Sequence, residues 1–211
     1  MRMLKTLLGI LALVTALGVS AADLQEGRQY KLISPPQPTE AKGKIEVTEF
    51  FWYGCSHCFD FEPLVAKWKK NLPADVVFRR VPAVFRDSWA PGAKTFYALE
   101  ATGQLDKLHQ EVFDAIHIDR MNPADEKAIA DLIGKKGGDK QKFLEAYNSF
   151  AVQSKVSRAA QTTQAHGIGG VPAIVVNGKY TPAQGAAGSF GDVLVIVDQL
   201  IAKARAEQAK K

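Results

Sequence analysis

The chain has two cysteines in 211 residues, and both stand in one motif, Cys55-Ser56-His57-Cys58. A pair so close in sequence closes too short a loop to restrict an unfolded chain much, so stapling a fold explains it poorly. Reversible dithiol–disulfide chemistry explains it better. The motif also stands at a change of pattern. The apolar run over residues 45–52 breaks at Gly54, and residues 59–71 follow with apolar positions at helical spacing (Phe61, Leu64, Val65, Trp68). Any fold of this chain must therefore carry a strand, a sharp turn and a helix start at the cysteines.

Residues 45–52 are mostly β-branched and aromatic and read as a strand buried on both faces. Residues 76–84 read as a second strand, so strand, helix and strand succeed one another as a parallel βαβ unit. Upstream, Ser34-Pro35-Pro36-Gln37-Pro38 is extended, because each proline denies helix to the residue before it. Downstream the pattern turns helical over 91–102, 104–117, 123–134, 139–148 and 150–166. Gly103, Gly137-Gly138 and Asn122-Pro123 punctuate these helices, with Asn122 predicted as an N-cap and Pro123 as the first helical residue. β character returns at 173–176, and Asn177-Gly178 before Lys179-Tyr180 is a hairpin signal. A last helix is predicted over 190–206. The fold class is α/β, a split domain with an all-helical block inserted in its middle.

The compartment is read from the first residues. Arg2 and Lys5 make a short basic region, residues 7–19 are apolar, and Ser20-Ala21-Ala22 supplies small residues before Asp23. This is the pattern of a secretory signal peptide cleaved near Ala21 or Ala22. A membrane anchor would need an apolar core of about 20 residues, so the mature chain is expected free of the membrane. An exported chain meets an oxidising compartment where disulfides form, and a bacterial periplasm fits best. Charge adds little. The chain has 27 basic and 22 acidic side chains, two of the basic ones lie in the leader, and no basic run is interleaved with aromatics, so nucleic acid is not expected as a partner.

A thiol reacts as its thiolate, and a helix N-terminus lowers a cysteine pKa through its free N–H groups and the positive end of its dipole. Cys55 at that position is the expected nucleophile, and Cys58, one turn further in, the buried resolving thiol. His57 between them stabilises the thiolate if protonated. Stabilising the reduced form in this way makes the disulfide more oxidising. Other uses of the motif fit less well. Covalent haem attachment needs His directly after the second cysteine, where Phe59 stands. Zinc needs four ligands, yet His109, His117 and His166 are scattered and no second cysteine pair exists. A purely structural disulfide remains the bland alternative. No metal or cofactor is expected.

Glu49 lies six residues before Cys55 on the otherwise apolar strand, where a carboxylate is costly without a partner or a task. Burial would raise its pKa and suit it to proton transfer with Cys58. The alternative is a strand-end glutamate paired with Arg79 or Arg80. Phe59, Val171, Trp52 and Trp89 could form an apolar rim around Cys55 for unfolded substrates, although aromatic residues are more often core.

Two segments together carry a family resemblance. Glu49-Phe50-Phe51-Trp52-Tyr53-Gly54 running into Cys55-Ser56-His57-Cys58, with Gly170-Val171-Pro172-Ala173 leading through Val175-Val176-Asn177-Gly178-Lys179-Tyr180, resembles the DsbA family of periplasmic thiol:disulfide oxidoreductases. The resemblance covers essentially the whole mature chain. It implies a thioredoxin fold interrupted by an inserted helical domain: a leader over 1–22, an extension over 23–43, a thioredoxin-like domain from 44–87 and 167–211, and the insertion over 88–166. It implies donation of the Cys55–Cys58 disulfide to reduced exported proteins, reoxidation by a membrane quinone reductase of the DsbB type, and a monomer. Val171-Pro172 matches the loop whose proline is cis in thioredoxin folds, and a proline there leaves backbone groups free for an extended substrate. Glu62 matches an acidic position near the family's active site; its other reading is an exposed helix charge. Ser56 departs from the family, which usually carries proline there, so the dipeptide that tunes the thiolate differs. Three other readings stand beside the oxidase. A disulfide isomerase or reductase would expect an N-terminal dimerisation domain longer than residues 23–44 allow; the others are a redox carrier for one dedicated partner and a non-catalytic chaperone-like module.

Overall fold

The computed structural model describes residues 24–210, so the predicted leader over 1–22 and its predicted cleavage site lie outside the described residues. A five-stranded sheet organises the chain in the order β1-β5-β4-β2-β3. Its centre is β2 (Ile45–Phe51), every residue of which is buried. β2 pairs in parallel with β3 (Val76–Pro82), and α1 (Ser56–Lys69) joins the two, giving the expected βαβ unit. On its other side β2 runs antiparallel to β4 (Ala173–Val176), which turns into β5 (Tyr180–Pro182). The hairpin turn is Asn177-Gly178, both with positive φ (53° and 63°), the conformation an Asn-Gly pair adopts readily.

β1 (Tyr30–Leu32) pairs antiparallel with β5 and extends the sheet by one edge strand. The prolines after it fix the extended path back, where Gln37 and Gly178 meet through a 2.8 Å backbone hydrogen bond.

Between β3 and β4 the chain is helical: α2 (Ala90–Ala101), α3 (Leu105–His117), α4 (Glu126–Lys135), α5 (Lys140–Tyr147) and α6 (Phe150–Ala165). α7 (Phe190–Gln208) closes the described chain. The predicted cap at Asn122 is corrected. The side chain of Asp125 accepts the Ala128 N–H and caps α4, while Asn122 and Pro123 form a separate turn in which Asn122 accepts from the Ala124 N–H. Both side chains can cap; the turn built on Pro123 delays the helix until Asp125 offers a second cap.

Side chains alternate along β2, so its two faces enter two cores. Ile45 and Val47 pack with Phe61 and Val65 of α1 and Val197 and Leu200 of α7. Phe50 and the strand-end Phe51 pack with Phe96, Val112, Phe113 and Phe143 of the helical block. Each such side chain contributes about 1.5–3 kcal/mol on burial, so the end of β2 is held firmly from the side of the inserted helices.

Candidate active site

β2 ends at Phe51, and three residues turn the chain into α1. Gly54 is required here: a Cβ on it would stand 2.4 Å from the Trp52 indole. That indole stacks on Trp89 at 4.0 Å and 4°, a contact the ring would lose by moving aside. Trp89 is buried, contrary to a place on an exposed rim. The turn leaves Cys55 as the N-cap of α1 (φ −92°, ψ 116°), and its sulfur accepts the Cys58 N–H at 3.4 Å. A sulfur thus takes the capping place usually held by a side-chain oxygen.

The two cysteines, both free thiols, sit in different surroundings. Cys55 is half-buried, whereas Cys58 is 1% exposed. The Cys58 thiol donating to the Cys55 sulfur is the largest influence on Cys55. Partial burial opposes it, and the N–H groups of Cys58 and His57 and the His57 charge reinforce it, so the Cys55 pKa falls from 9.0 to about 6. Burial first, and then the same shared hydrogen bond, push the Cys58 thiol far up. His57 is exposed on the first turn of α1, with its ring 6.4 Å from Phe190 of α7. Ser56, beside it, is also exposed.

Across from Cys55 lies the loop between α6 and β4. The Cys55 thiol donates to the Val171 carbonyl at 3.5 Å, and the Val171–Pro172 peptide is cis. Val171 and Phe59 are both half-buried at the edge of the larger core. A cleft of about 530 Å³ opens beside this loop, with Ile33, Phe61, Ile168, Pro172, Phe190 and Val193 among its lining.

Beneath the cysteines is a buried charged cluster. Glu49 is 1% exposed and accepts from Arg80 Nε at 2.8 Å. Glu62 is buried too, not an exposed helix charge, and both its oxygens accept from Arg80 Nη2, at 2.8 and 2.7 Å. Glu49 and Arg80 are partners in the β2–β3 register, which is why Arg80 and not Arg79 meets it. Arg79 turns to Glu40 and Glu46 instead. Burial raises the Glu49 pKa from 4.5 to about 7, with Arg80 opposing and Glu62 adding to the rise. Burial also works against ionisation of Glu62, but the His109 contact and Arg80 outweigh it and hold that carboxyl low. His109, buried, stays neutral near pH 7, its pKa lowered by burial to about 4. Its Nε2 lies 3.4 Å from Glu62 and its Nδ1 2.7 Å from the Tyr53 hydroxyl.

Sequence reasoning picked out Cys55, His57, Cys58, Glu49, Glu62, Phe59, Val171 and Pro172. The geometry gathers them around the N-terminus of α1, with the two glutamates below it. It missed the parts contributed by His109 and His117, which read as scattered histidines. Their signal was spacing: His109, Phe113 and His117 recur every four residues and so share a face of α3.

Comparison with known proteins identifies the family. A family model described as a DSBA-like thioredoxin domain matches residues 77–191. A thiol:disulfide interchange protein DsbA of Pseudomonas aeruginosa is 42% identical over 206 residues, 97% of this chain and 98% of that protein. The chain belongs to the DsbA family. A DsbA of Azotobacter vinelandii is 44% identical over 90% of this chain and 89% of its own. The crystal structure of Pseudomonas aeruginosa DsbA superposes with a TM-score of 0.84 at 44% identity, covering 90% of this chain and 98% of that one. DsbA from Xylella fastidiosa, at 30% identity, still gives 0.80 over 87% and 98%. The fold is thus the DsbA-like thioredoxin fold with its helical insertion, and the chain is a thiol:disulfide oxidoreductase. The family model begins after the cysteines; the full-length relatives are what bring the Cys55–Cys58 segment into the match.

Proposed function

We propose that this DsbA-family protein works in the bacterial periplasm, after cleavage of its leader near Ala21 or Ala22, as a monomeric oxidant of newly exported proteins. The observation that carries the reading is the asymmetry of the cysteine pair: Cys55, half-exposed at a helix N-terminus, holds a thiolate at a pH where buried Cys58 does not. A reduced form stabilised in this way leaves a disulfide that readily accepts electrons.

In the oxidised protein a substrate thiolate attacks the Cys55 sulfur. The Cys55–Cys58 bond breaks, Cys58 leaves and takes a proton, and a mixed disulfide joins the substrate to Cys55. A second substrate thiolate then attacks the substrate sulfur of that bond, which releases Cys55 as its thiolate and leaves a disulfide in the substrate. Two electrons pass from the substrate dithiol to the cysteine pair. A membrane quinone reductase of the DsbB type would take them up in turn.

The remaining residues have roles on this scheme. Glu49, with a pKa near 7 and an influence on Cys58, supplies and recovers the Cys58 proton. His57 and the N–H groups of the first turn favour the Cys55 thiolate. Val171 and Pro172, facing Cys55, and the Phe59 ring receive the extended substrate beside the reacting sulfur. Glu62 holds Arg80.

The test is the redox equilibrium of the purified protein with glutathione. A disulfide reduced readily by glutathione supports an oxidase, and a potential close to that of thioredoxin overturns it. Cys55→Ser should abolish oxidation of a dithiol peptide; residual binding without oxidation in the wild type would point to a binding module.

A further inference from the structure

A stripe of α3 lies against the redox site, beside the Trp89 stack on Trp52. His109 Nδ1 contacts the Tyr53 hydroxyl at 2.7 Å, and the Phe113 ring meets the Tyr53 ring edge-on at 4.9 Å. His117 goes further. Its Nε2 lies 2.7 Å from the Tyr53 carbonyl, and its ring stacks on Phe59 at 4.8 Å and 14°. Tyr53 stands two residues before Cys55 and Phe59 directly after Cys58. One histidine from the insertion therefore grips the motif at both ends, by a backbone atom before it and a side chain after it.

A carbonyl only accepts, so the His117 contact requires the proton on Nε2. The strand ladders on both sides of β2 have ended by Phe51, and the Tyr53 peptide is beyond their reach. Its orientation decides how Gly54 and Cys55 enter the helix.

We propose that His117 is a positioning residue of the interchange reaction: by fixing the Tyr53 carbonyl and the Phe59 ring it holds the loop that aims the Cys58 N–H at the Cys55 sulfur. This rests on reading Cys55 as the reacting thiol. Donors held in place favour a thiolate, which exists only in the reduced protein; the disulfide has no charge to gain from them. Loosening the grip therefore weakens the oxidant and shifts thiolate formation to higher pH.

His117→Phe keeps a ring for Phe59 and removes the donor, while His117→Gln keeps an N–H near the same place. In the mature protein each is followed by thiolate absorbance against pH, by the glutathione equilibrium and by thermal unfolding. His117→Phe is expected to move the equilibrium about threefold to tenfold toward a weaker oxidant, the range one ordinary hydrogen bond covers, and to raise the pH of thiolate formation. His117→Gln should recover most of both. If the Phe side chain prevents folding, His117→Leu, also without a donor, carries the same comparison. A donorless variant that loses only thermal stability, with wild-type pH profile and equilibrium, overturns the proposal, as does a Gln variant impaired as much as the Phe one. A wild type that is not oxidising overturns the proposed function instead, so the two failures are told apart.

Discussion

Cys55 carries a charge only when reduced, so the two redox forms must differ in how their stability depends on pH. In the reduced fold the hydrogen bond from Cys58, opposed by partial burial and reinforced by backbone N–H groups and His57, brings the Cys55 pKa from 9.0 to about 6. A depressed folded value gives stability that is fully present above the unfolded pKa and is lost as pH falls through the folded one, so the window is pH 9 down to 6. A shift of that size is worth at most about 4 kcal/mol, and about 2 kcal/mol once screening of a half-exposed sulfur is allowed for. At pH 7 about 1 kcal/mol of it is in place, which in a two-electron couple makes the disulfide roughly 20 mV more oxidising. The measurement is urea unfolding of reduced and oxidised protein at about pH 5, 7 and 9, read as the difference between the forms. Glu49 and His109 also titrate abnormally, but both are present in either form and largely cancel in that difference. The reduced form should gain about 2 kcal/mol on the oxidised one across the range. Cys55→Ser should remove the trend from the reduced protein. Parallel stability curves for the two forms would refute the reasoning.

Glu49→Gln keeps the shape and the Arg80 contact but cannot carry the proton; exchange with a dithiol peptide should slow on the order of 100-fold and lose its inflection near pH 7, and an unchanged pH–rate profile would return Glu49 to a structural pairing. Arg80→Met leaves two buried carboxylates without their cation and should cost about 3–5 kcal/mol in urea unfolding, much of it recovered by adding Glu49→Gln and Glu62→Gln; a loss below about 1 kcal/mol would show that the cluster is solvated. Gly178→Ala would put a Cβ 2.0 Å from the Gln37 carbonyl at φ +63°, whereas Gly27→Ala meets nothing within 4 Å at φ +82°. Both pay backbone strain of about 1 kcal/mol, so thermal unfolding should show a clearly larger loss for Gly178, and equal losses would mean that the lead-in segment simply moves aside.

What could be read ahead of the structure was what is local. The strand–turn–helix at the cysteines was visible because β-branched residues, Gly54 and helical spacing change over within a few positions. The Asn177-Gly178 hairpin was visible for the same reason. β1 was not: three residues carry little pattern, and its partner β5 lies at the far end of the chain. The start of α4 was misplaced because Asn122 and Asp125 are both sound caps, and the turn built on Pro123 leaves the capping place to Asp125. In the site, Glu49 stood out as an acid in an apolar strand. Its pairing was ambiguous because Arg79 and Arg80 are adjacent; alternation along β3 gives them opposite faces, and only the register says which face Glu49 shares. The burial of Glu62 and the contacts of His109 and His117 depend on how α3 docks, a long-range fact that no short window holds.

The asymmetry of the cysteines and the state of Glu49 belong to one arrangement of charge. Burial, and then a hydrogen bond that also lowers Cys55, raises Cys58, so the pair shares one proton and keeps it on the buried sulfur. An ionised carboxylate beside that sulfur raises its pKa further, and Glu49 is close enough to do so. The cluster below limits this. Arg80 gives Glu62 two contacts and Glu49 one, and Glu62, with His109 against it, is the carboxyl held ionised. Arg80 and Glu62 then balance each other, and Glu49 is left about half-protonated near pH 7. In the proposed reaction a group in that state gives a proton to Cys58 as it leaves a disulfide and takes one back when it attacks, at little cost in either direction. The residues that matter for this are Arg80, Glu62 and His109, none of which needs to touch a substrate. They act by deciding which buried carboxyl keeps its charge.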